Sequence, residues 1–215
     1  MLLKKELKEY MHMNNISING ILHIGAHECE ELEYYTNELK VNDNNIIWID
    51  AIEEKVKKNK TKNIKNVHHA LITDVDDKQY NFNISNNYQS SSIFELGTHK
   101  YRHPEVRYIK QIHLQSITID TFLKKHNYNP ALYELWNFDI QGAELLALKG
   151  GETCLKHVKI LYLEVSNEEL YKNCNLITEI DEYLNQNGFF RVITKILPYQ
   201  WGDAIYLNTN YQNYH

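Results

Sequence analysis

Short apolar runs that end at polar or acidic residues dominate the hydrophobic pattern of this chain. Residues 21–24, 46–49, 67–72 and 158–163 are such runs, four to six residues long, and turn-forming sequence bounds them. Their polar exceptions are His23, His68, His69 and Lys159. Continuous short runs of this kind are typical of parallel strands that are buried on both faces. The pattern therefore predicts the inner strands of a parallel sheet.

Amphipathic segments with helical spacing lie between these runs. Near the end of the chain, residues 189–196 and 204–207 alternate as strands and are joined by a short connection, which favours an antiparallel edge pair. Strands that alternate with helices predict an α/β fold with a doubly wound, Rossmann-like sheet, mostly parallel and with an antiparallel C-terminal edge. The predicted helices cover residues 2–13, 51–60, 119–126 and 176–187.

The stretch from Asn137 to Gly150 is the centre of the predicted site. Apolar residues lead into Asp139, with Gln141 two positions later, and a short helical segment follows. This order predicts a buried strand whose carboxyl end carries both side chains into a crevice, because ligands bind at that edge of open α/β sheets. Glu164 ends the next strand in the same way. The carboxylates of Asp139 and Glu164 fit a general base or a divalent metal site. Asp139 also fits a helix cap, and the pattern leaves these alternatives open.

A second candidate site lies where the first predicted strand ends. Gly25, Ala26 and His27 follow that strand, a helix is predicted to start at this turn, and Asp50 ends the second strand 25 residues after Gly25. An acidic residue at this spacing is typical of ribose binding in nucleotide-binding domains, although it also suits a helix cap. The second and third glycines of the dinucleotide fingerprint are absent. We therefore expect helix N–H donors to face a nucleoside ligand without a diphosphate.

The pattern shows no internal division of the chain. We predict a single domain over residues 1–215, with an N-terminal helix and connector over 1–19. Residues 79–118 are the least regular part, and a connection of this length between sheet strands is typical of a functional insertion. We expect this insertion to bind the acceptor.

Composition and charge narrow the choice of partner. Of 215 residues, 43% are hydrophobic and 24% are charged, and the formal net charge is −5. Nucleic-acid binding requires a concentrated basic surface, so we expect no nucleic-acid partner. We also expect no membrane span, because no apolar run is long enough. Three cysteines without a CxxC pair favour reduced thiols and a cytoplasmic location.

Several stretches, taken in order, resemble the FkbM-type methyltransferases. The resemblance extends over roughly residues 20–195, with the two departures at Cys29, where the family usually has a second glycine, and at Asp50, where it usually has glutamate before proline. The similar stretches are Ile24-Gly25-Ala26-His27-Glu28-Cys29, Trp48-Ile49-Asp50-Ala51, Ile117-Thr118-Ile119-Asp120-Thr121-Phe122-Leu123 and Asp139-Ile140-Gln141-Gly142-Ala143-Glu144.

The resemblance implies a class I methyltransferase fold with S-adenosylmethionine as cofactor. It implies O-methylation of a hydroxyl group on a small-molecule or glycan acceptor, with a sugar or glycan favoured. Asp139 is then the base or orienting group, supported by Gln141 and Glu164. The other implied contacts are Gly25, Ala26 and His27 with methionine, Asp50 with ribose, Ala70 and Leu71 with adenine, and Ser91 and Ser92 with the acceptor. The alternatives are an NAD-dependent oxidoreductase and a catalytically silent nucleoside-binding or scaffolding domain. Metal dependence and oligomeric state stay open.

Overall fold

The computed structural model describes residues 1–211 of the chain. A central sheet carries the site, and a smaller sheet is built by the predicted insertion and the strand before it. The helices are α1 (Lys4–Met13), α2 (Glu53–Thr61), α3 (His99–Arg102), α4 (Ile119–Lys125), α5 (Glu144–Gly150), α6 (Glu152–Leu155) and α7 (Ile177–Gln186). The strands are β1 (Gly20–Ile24), β2 (Ile46–Asp50), β3 (Val67–His69), β4 (Leu71–Ile72), β5 (Gln79–Ser85), β6 (Tyr108–Ile117), β7 (Tyr133–Phe138), β8 (Ile160–Ser166), β9 (Phe189–Ile196) and β10 (Trp201–Asn208).

The central sheet has seven strands in the order β3-β2-β1-β7-β8-β10-β9. The strands from β3 to β8 pair in parallel, whereas β10 is antiparallel to both β8 and β9. This arrangement confirms the predicted mostly parallel α/β sheet with an antiparallel C-terminal edge. The strand order reverses between β1 and β7, and such a switch point opens a crevice at the carboxyl ends of the strands.

The inner strands are mostly apolar because both of their faces are covered. Every residue of β1, β2 and β7 is buried. In β1, Leu22 and Ile24 belong to one apolar cluster and Ile21 belongs to the cluster on the other face. The same division occurs in β7, where Trp136 and Leu135 lie in different clusters. Two such cores fix the sheet rigidly, so the carboxyl ends of its strands are well-defined positions for side chains.

The third predicted strand, over residues 67–72, is wrong as a single element. The chain leaves the central sheet after β3, and Ala70 donates its N–H to the carbonyl of Asp50 at 3.1 Å. β4 then pairs in parallel with β6 in a separate three-stranded sheet of order β4-β6-β5. A mostly apolar run has the same sequence pattern whether its residues pair in one sheet or in two. The pattern therefore could not show where β3 ends.

The helix predicted to start at the glycine turn is also wrong in its position. Residues 25–31 form an extended turn, in which His27 and Cys29 have φ values of 42° and 58°. The first regular helical element after this turn is a π-helix over Tyr34–Glu38. Apolar spacing at Leu32, Tyr35 and Leu39 gave the correct face but could not show the delay in the helix start.

The predicted insertion folds largely as an antiparallel pair of strands. β5 and β6 are hydrogen-bonded over most of their length, from Gln79↔Gln115 to Ser85↔Tyr108. The connection between them, residues 86–107, includes α3 and extends over the carboxyl edge of the central sheet. Its binding role and the single-domain organisation stay predictions. No helix within residues 1–211 combines the length and hydrophobicity needed to cross a bilayer.

Candidate functional site

A cavity of about 550 Å³ lies at the carboxyl edge of the central sheet. Its lining includes the turn after β1, the ends of β2, β7 and β8, and part of the connection between β5 and β6. Cavities of this size are typical of small-molecule sites. Of the residues that we predicted for the site, all but Ser92 line this one cavity.

The turn after β7 is shaped by its backbone. Gln141 and Gly142 have φ values of 56° and 96°, in the left-handed region. A Cβ on Gly142 would lie 2.7 Å from the Cβ of Cys174, so only glycine fits there without movement. The buried Glu144 then holds the turn from below, because its Oε1 accepts the N–H of Ile140 at 2.9 Å. Asp139 faces the accessible interior of the cavity.

Gln141 connects the carboxyl groups at the ends of β7 and β8. Its Nε2 donates to Asp139 Oδ1 and to Glu164 Oε2, each at 2.7 Å. Its Oε1 accepts the hydroxyl of Tyr171 at 2.5 Å, and its backbone carbonyl accepts the hydroxyl of Ser92 at 2.8 Å. The structure thus brings together the three residues that we predicted to be catalytic, with Gln141 as the bridge.

Asp139 and Glu164 form a hydrogen-bonded carboxyl pair that binds a proton with a raised pKa. Burial raises the pKa of Asp139, although hydrogen bonds from Gln141 and Glu164 counteract this shift. Burial, together with the negative charges of Asp139, Glu144 and Asp203, raises the pKa of Glu164 much further. Glu164 therefore takes this proton first and donates it in a hydrogen bond to Asp139, which keeps the charge. Such an arrangement leaves an oriented carboxylate at the cavity surface.

The glycine turn after β1 is closed by its own hydrogen bonds. The N–H groups of Gly25 and Ala26 donate to the carbonyl of Ile49 at 2.9 and 3.0 Å, and that of His27 donates to Asp50 at 2.7 Å. Our expectation that N–H donors of a helix start here face a ligand is wrong, because no helix begins at this turn and these donors are already used. Gly25 is required for another reason, since its Cβ would lie 1.9 Å from the carbonyl oxygen of Asp139.

Asp50 lies buried at the end of β2 and holds two loops. One carboxylate oxygen accepts the N–H of His27 and the other accepts the N–H of Ile52, both at 2.7 Å. Burial raises the pKa of Asp50, while these backbone hydrogen bonds oppose the shift. Each oxygen has a further lone pair, so the carboxylate keeps acceptor capacity toward the cavity. Its predicted contact with ribose stays a prediction.

Ala70 lies between β3 and β4, and Leu71 is the first residue of β4. Leu71 packs with Ile52 and Phe82 in a small apolar cluster, and all these side chains line the same end of the cavity. This arrangement forms an apolar slot beside Asp50, which suits a flat heteroaromatic ring. Ile52 and Phe82 could not be recognised from sequence as members of this slot, because they are apolar residues from separate elements.

Ser91 and Ser92 have internal partners for their hydroxyl groups. Ser91 donates to the carbonyl of Tyr88 at 2.7 Å, and Ser92 donates to the carbonyl of Gln141 at 2.8 Å. The neighbouring Ser90 lines the cavity and hydrogen-bonds with Tyr171. Acceptor contact by Ser91 and Ser92 stays a prediction, but their observed bonds assign them to shaping the turn.

Two residues of the site were missed by sequence reasoning as members of it. The first is Glu144, whose pKa is raised by burial to about 7. The second is Tyr171, which is buried and donates its hydroxyl in a hydrogen bond to Gln141. The sequence signal for Glu144 was its place five residues after Asp139, on the first turn of α5. Tyr171 lies in an irregular segment and had no such signal. Within residues 1–211, no group of three or more metal-ligating side chains is arranged to hold a metal ion.

Comparison with known proteins gives the family. The model of the methyltransferase FkbM domain matches residues 23–190. No curated protein matches the chain. The crystal structure of methyltransferase FkbM from Methylobacillus flagellatus KT shares 13% identity with a TM-score of 0.54, over 88% of this chain and 43% of that chain. This chain therefore spans less than half the length of that relative.

Two further solved structures are similar at lower scores. Magnesium protoporphyrin IX methyltransferase from Synechocystis PCC 6803 shares 10% identity with a TM-score of 0.44, over 96% of this chain and 78% of that chain. A SAM-dependent methyltransferase from Aquifex aeolicus shares 12% identity with a TM-score of 0.45, over 94% and 88% of the two chains. Because the family model covers most of its length, the chain belongs to the methyltransferase FkbM domain family.

Proposed function

We propose that the protein transfers a methyl group from S-adenosylmethionine to a hydroxyl group of a small-molecule or glycan acceptor. The observation that carries this proposal is the Asp139 carboxylate, held by Gln141 and Glu164 at the cavity surface in a methyltransferase-family fold. A hydroxyl group becomes a good nucleophile when a positioned carboxylate takes its proton.

The chemistry of the cavity suits this cofactor. The lining residues within the described chain include Asp50, Asp139 and Glu164 but no lysine or arginine. A surface of this kind favours a sulfonium cation and gives a diphosphate no lysine or arginine partner. The apolar slot at Leu71 and the remaining acceptor capacity of Asp50 suit adenine and ribose. Asp50 and the residues around Leu71 are therefore the groups that would hold the nucleoside part.

The chain positions the acceptor and moves one proton. When bound, S-adenosylmethionine supplies a methyl group on a sulfonium sulfur, and the carbon–sulfur bond breaks with its electron pair left on sulfur. Asp139 takes the proton that the acceptor hydroxyl loses as its oxygen bonds to the methyl carbon. Gln141 orients Asp139 throughout, and Glu164 keeps its own proton, so the transfer leaves Asp139 neutral. Alignment of the two reactants contributes a large part of the rate.

The two alternative functions find less support. An NAD-dependent oxidoreductase requires donors for a diphosphate, and the turn of Gly25, Ala26 and His27 has no N–H group to offer. A silent nucleoside-binding domain does not require an aligned carboxyl pair, whose partial desolvation in the cavity wall costs free energy. The pair is therefore better explained by catalysis.

Turnover of labelled cofactor tests the proposal. S-adenosylmethionine with a radioactive methyl group is incubated with a set of small polyols and oligosaccharides, and label in the acceptor is counted. We expect transfer by the wild type and a loss of at least about 100-fold in Asp139→Asn. The matched control Asp74→Asn changes an exposed carboxylate and should keep full activity. Retained turnover in Asp139→Asn, with unchanged cofactor affinity, would remove Asp139 from the chemistry.

A further inference from the structure

A histidine from the insertion lines the cavity beside the residues that contact the carboxyl pair. His99 is the first residue of α3 and is only 7% exposed, and it lines the cavity together with Ser90 and Tyr171. Its Nδ1 is buried and has no hydrogen-bond partner among residues 1–211. An unpaired buried polar atom costs about 1–3 kcal/mol, so it calls for a functional explanation.

The backbone holds His99 firmly in this position. The N–H groups of Gly97 and His99 donate to the carbonyl of Leu170 at 2.8 and 3.2 Å, and that of Thr98 donates to Glu169 at 2.9 Å. A Cβ on Gly97 would lie 2.3 Å from the carbonyl oxygen of Glu169, so the two segments are in close contact. This contact attaches α3 to the segment that carries Tyr171. The imidazole is therefore placed by the fold and does not depend on a mobile loop.

The ring of His99 is connected to the carboxyl cluster through one aromatic residue. Its centroid lies 5.4 Å from that of Tyr171 and 5.1 Å from that of His103. The hydroxyl of Tyr171 donates to Gln141, which in turn donates to Asp139. A molecule bound against His99 therefore lies along the same wall as the carboxylate that takes the proton.

His99 is uncharged at neutral pH. Burial lowers its pKa, and the neighbouring His103 lowers it further. Neutral imidazole presents one N–H donor and one nitrogen acceptor, and a hydroxyl group can pair with either of them. An anionic group, in contrast, can use only the donor.

The charges near His99 point in the same direction. The carboxyl-bearing residues of the lining include Glu105, Asp139 and Asp203 besides the protonated Glu164, and no lysine or arginine lines the cavity within the described chain. A phosphate or carboxylate on the acceptor would meet these negative charges without a lysine or arginine to compensate them, which costs free energy in a partly desolvated site. The α-ammonium of Met1 also lines the cavity, but it already faces Glu31 at 4.0 Å.

We propose that His99 recognises the acceptor through a hydrogen bond to one of its hydroxyl groups, and that this part of the cavity selects uncharged acceptors over anionic ones. This inference rests on the proposed function and adds a specificity residue and a charge class to it. His99 positions the acceptor, whereas Asp139 takes the proton.

Matched acceptors test the charge selection. The probes are the methyl glycosides of glucose, galactose and mannose and the corresponding methyl glycosides of their uronic acids, which replace one hydroxymethyl group by a carboxylate. With S-adenosylmethionine, we expect methylation of at least one neutral glycoside and a kcat/KM at least about tenfold lower for its uronic acid. Equal or faster turnover of the uronic acids overturns the inference.

A variant pair tests the role of His99 itself. His99→Phe keeps a ring against Tyr171 but removes both nitrogens, and the exposed His113→Phe is the control. We expect His99→Phe to raise the KM of the neutral glycoside about tenfold or more, with the KM of S-adenosylmethionine unchanged. Unchanged acceptor KM in a folded His99→Phe protein overturns the role.

A measurement on the wild type keeps the inference testable if the variant does not fold. In protein labelled with ¹⁵N-histidine and saturated with S-adenosylhomocysteine, a neutral glycoside should shift the His99 ring signals and its uronic acid should not. If no probe is methylated and none shifts these signals while S-adenosylhomocysteine binds, the inference is overturned and the proposed function stands. If S-adenosylhomocysteine does not bind, the proposed function itself fails.

Discussion

Glu144 gives the sharpest test of the electrostatics beneath the site. Its carboxyl group is buried under the turn after β7 and accepts the N–H of Ile140. Burial raises its pKa from the ordinary 4.5 to about 7. A carboxyl group with a raised pKa favours the folded state fully below its unfolded pKa, and this contribution is lost as the pH rises through the folded pKa. Wild-type protein should therefore lose stability between pH 4.5 and pH 7 because of this residue.

The size of this loss follows from the shift in pKa. Each pKa unit corresponds to about 1.4 kcal/mol, so the change from 4.5 to about 7 corresponds to about 3 kcal/mol. Glu144→Gln removes the titration and keeps a carbonyl oxygen for Ile140. The amide replaces one acceptor by a donor, and this substitution has a cost that does not depend on pH. The quantity to compare is therefore the change of the free-energy difference with pH.

Urea unfolding of both proteins between pH 4.5 and pH 8 measures this quantity. We expect the free energy of unfolding of Glu144→Gln, relative to wild type, to rise by about 3 kcal/mol across this range. Glu182→Gln, which changes an exposed carboxyl group on α7, should show no such rise. If the difference between Glu144→Gln and wild type is the same at every pH, Glu144 does not titrate as described and the reasoning about burial is refuted.

Three further variants test separate parts of the structure. Gly142→Ala places a Cβ 2.7 Å from that of Cys174 at a φ of 96°. Urea unfolding should show that the free energy of unfolding falls by about 1–3 kcal/mol. An unchanged unfolding midpoint contradicts the close contact. Gln141→Met removes the amide between the two carboxyl groups. Turnover assays should show a lower kcat, while calorimetry shows unchanged affinity for S-adenosylhomocysteine. A large loss of that affinity contradicts the role of Gln141 as the residue that orients Asp139. Asp120→Ala removes the carboxylate that accepts the N–H groups of Thr153 and Cys154 at the start of α6, so stability should fall by about 1–2 kcal/mol without an effect on binding.

The sheet was predictable because burial on both faces gives its inner strands a recognisable sequence pattern. A strand buried on both faces must be mostly apolar, and this requirement marks β1, β2 and β8 in the sequence. The prediction of secondary structure failed where the local sequence pattern does not determine which strand or side chain a segment pairs with. Residues 67–72 form one mostly apolar run but pair in two sheets. The turn after Gly25 is held by hydrogen bonds to Ile49 and Asp50, which are distant in sequence, and the next helix starts only after it.

The site was predictable only where several of its residues share one short segment. Asp139 and Gln141 lie two residues apart at a strand end, so their joint presence in the cavity followed from the topology. Tyr171 comes from an irregular segment and His99 from the short helix α3, and only the folded chain places them on the same wall. Gly25 shows a further limit, because its requirement comes from the carbonyl oxygen of Asp139, more than a hundred residues away.

Direct titration of the cofactor product tests the central claim. Isothermal calorimetry of the wild type with S-adenosylhomocysteine, and separately with NAD, compares a nucleoside ligand without a diphosphate with one that carries it. The account predicts one S-adenosylhomocysteine per chain with a Kd below about 1 mM, and no heat of binding from NAD in the same range. Binding of NAD without binding of S-adenosylhomocysteine would contradict the account, as would the failure of both ligands to bind.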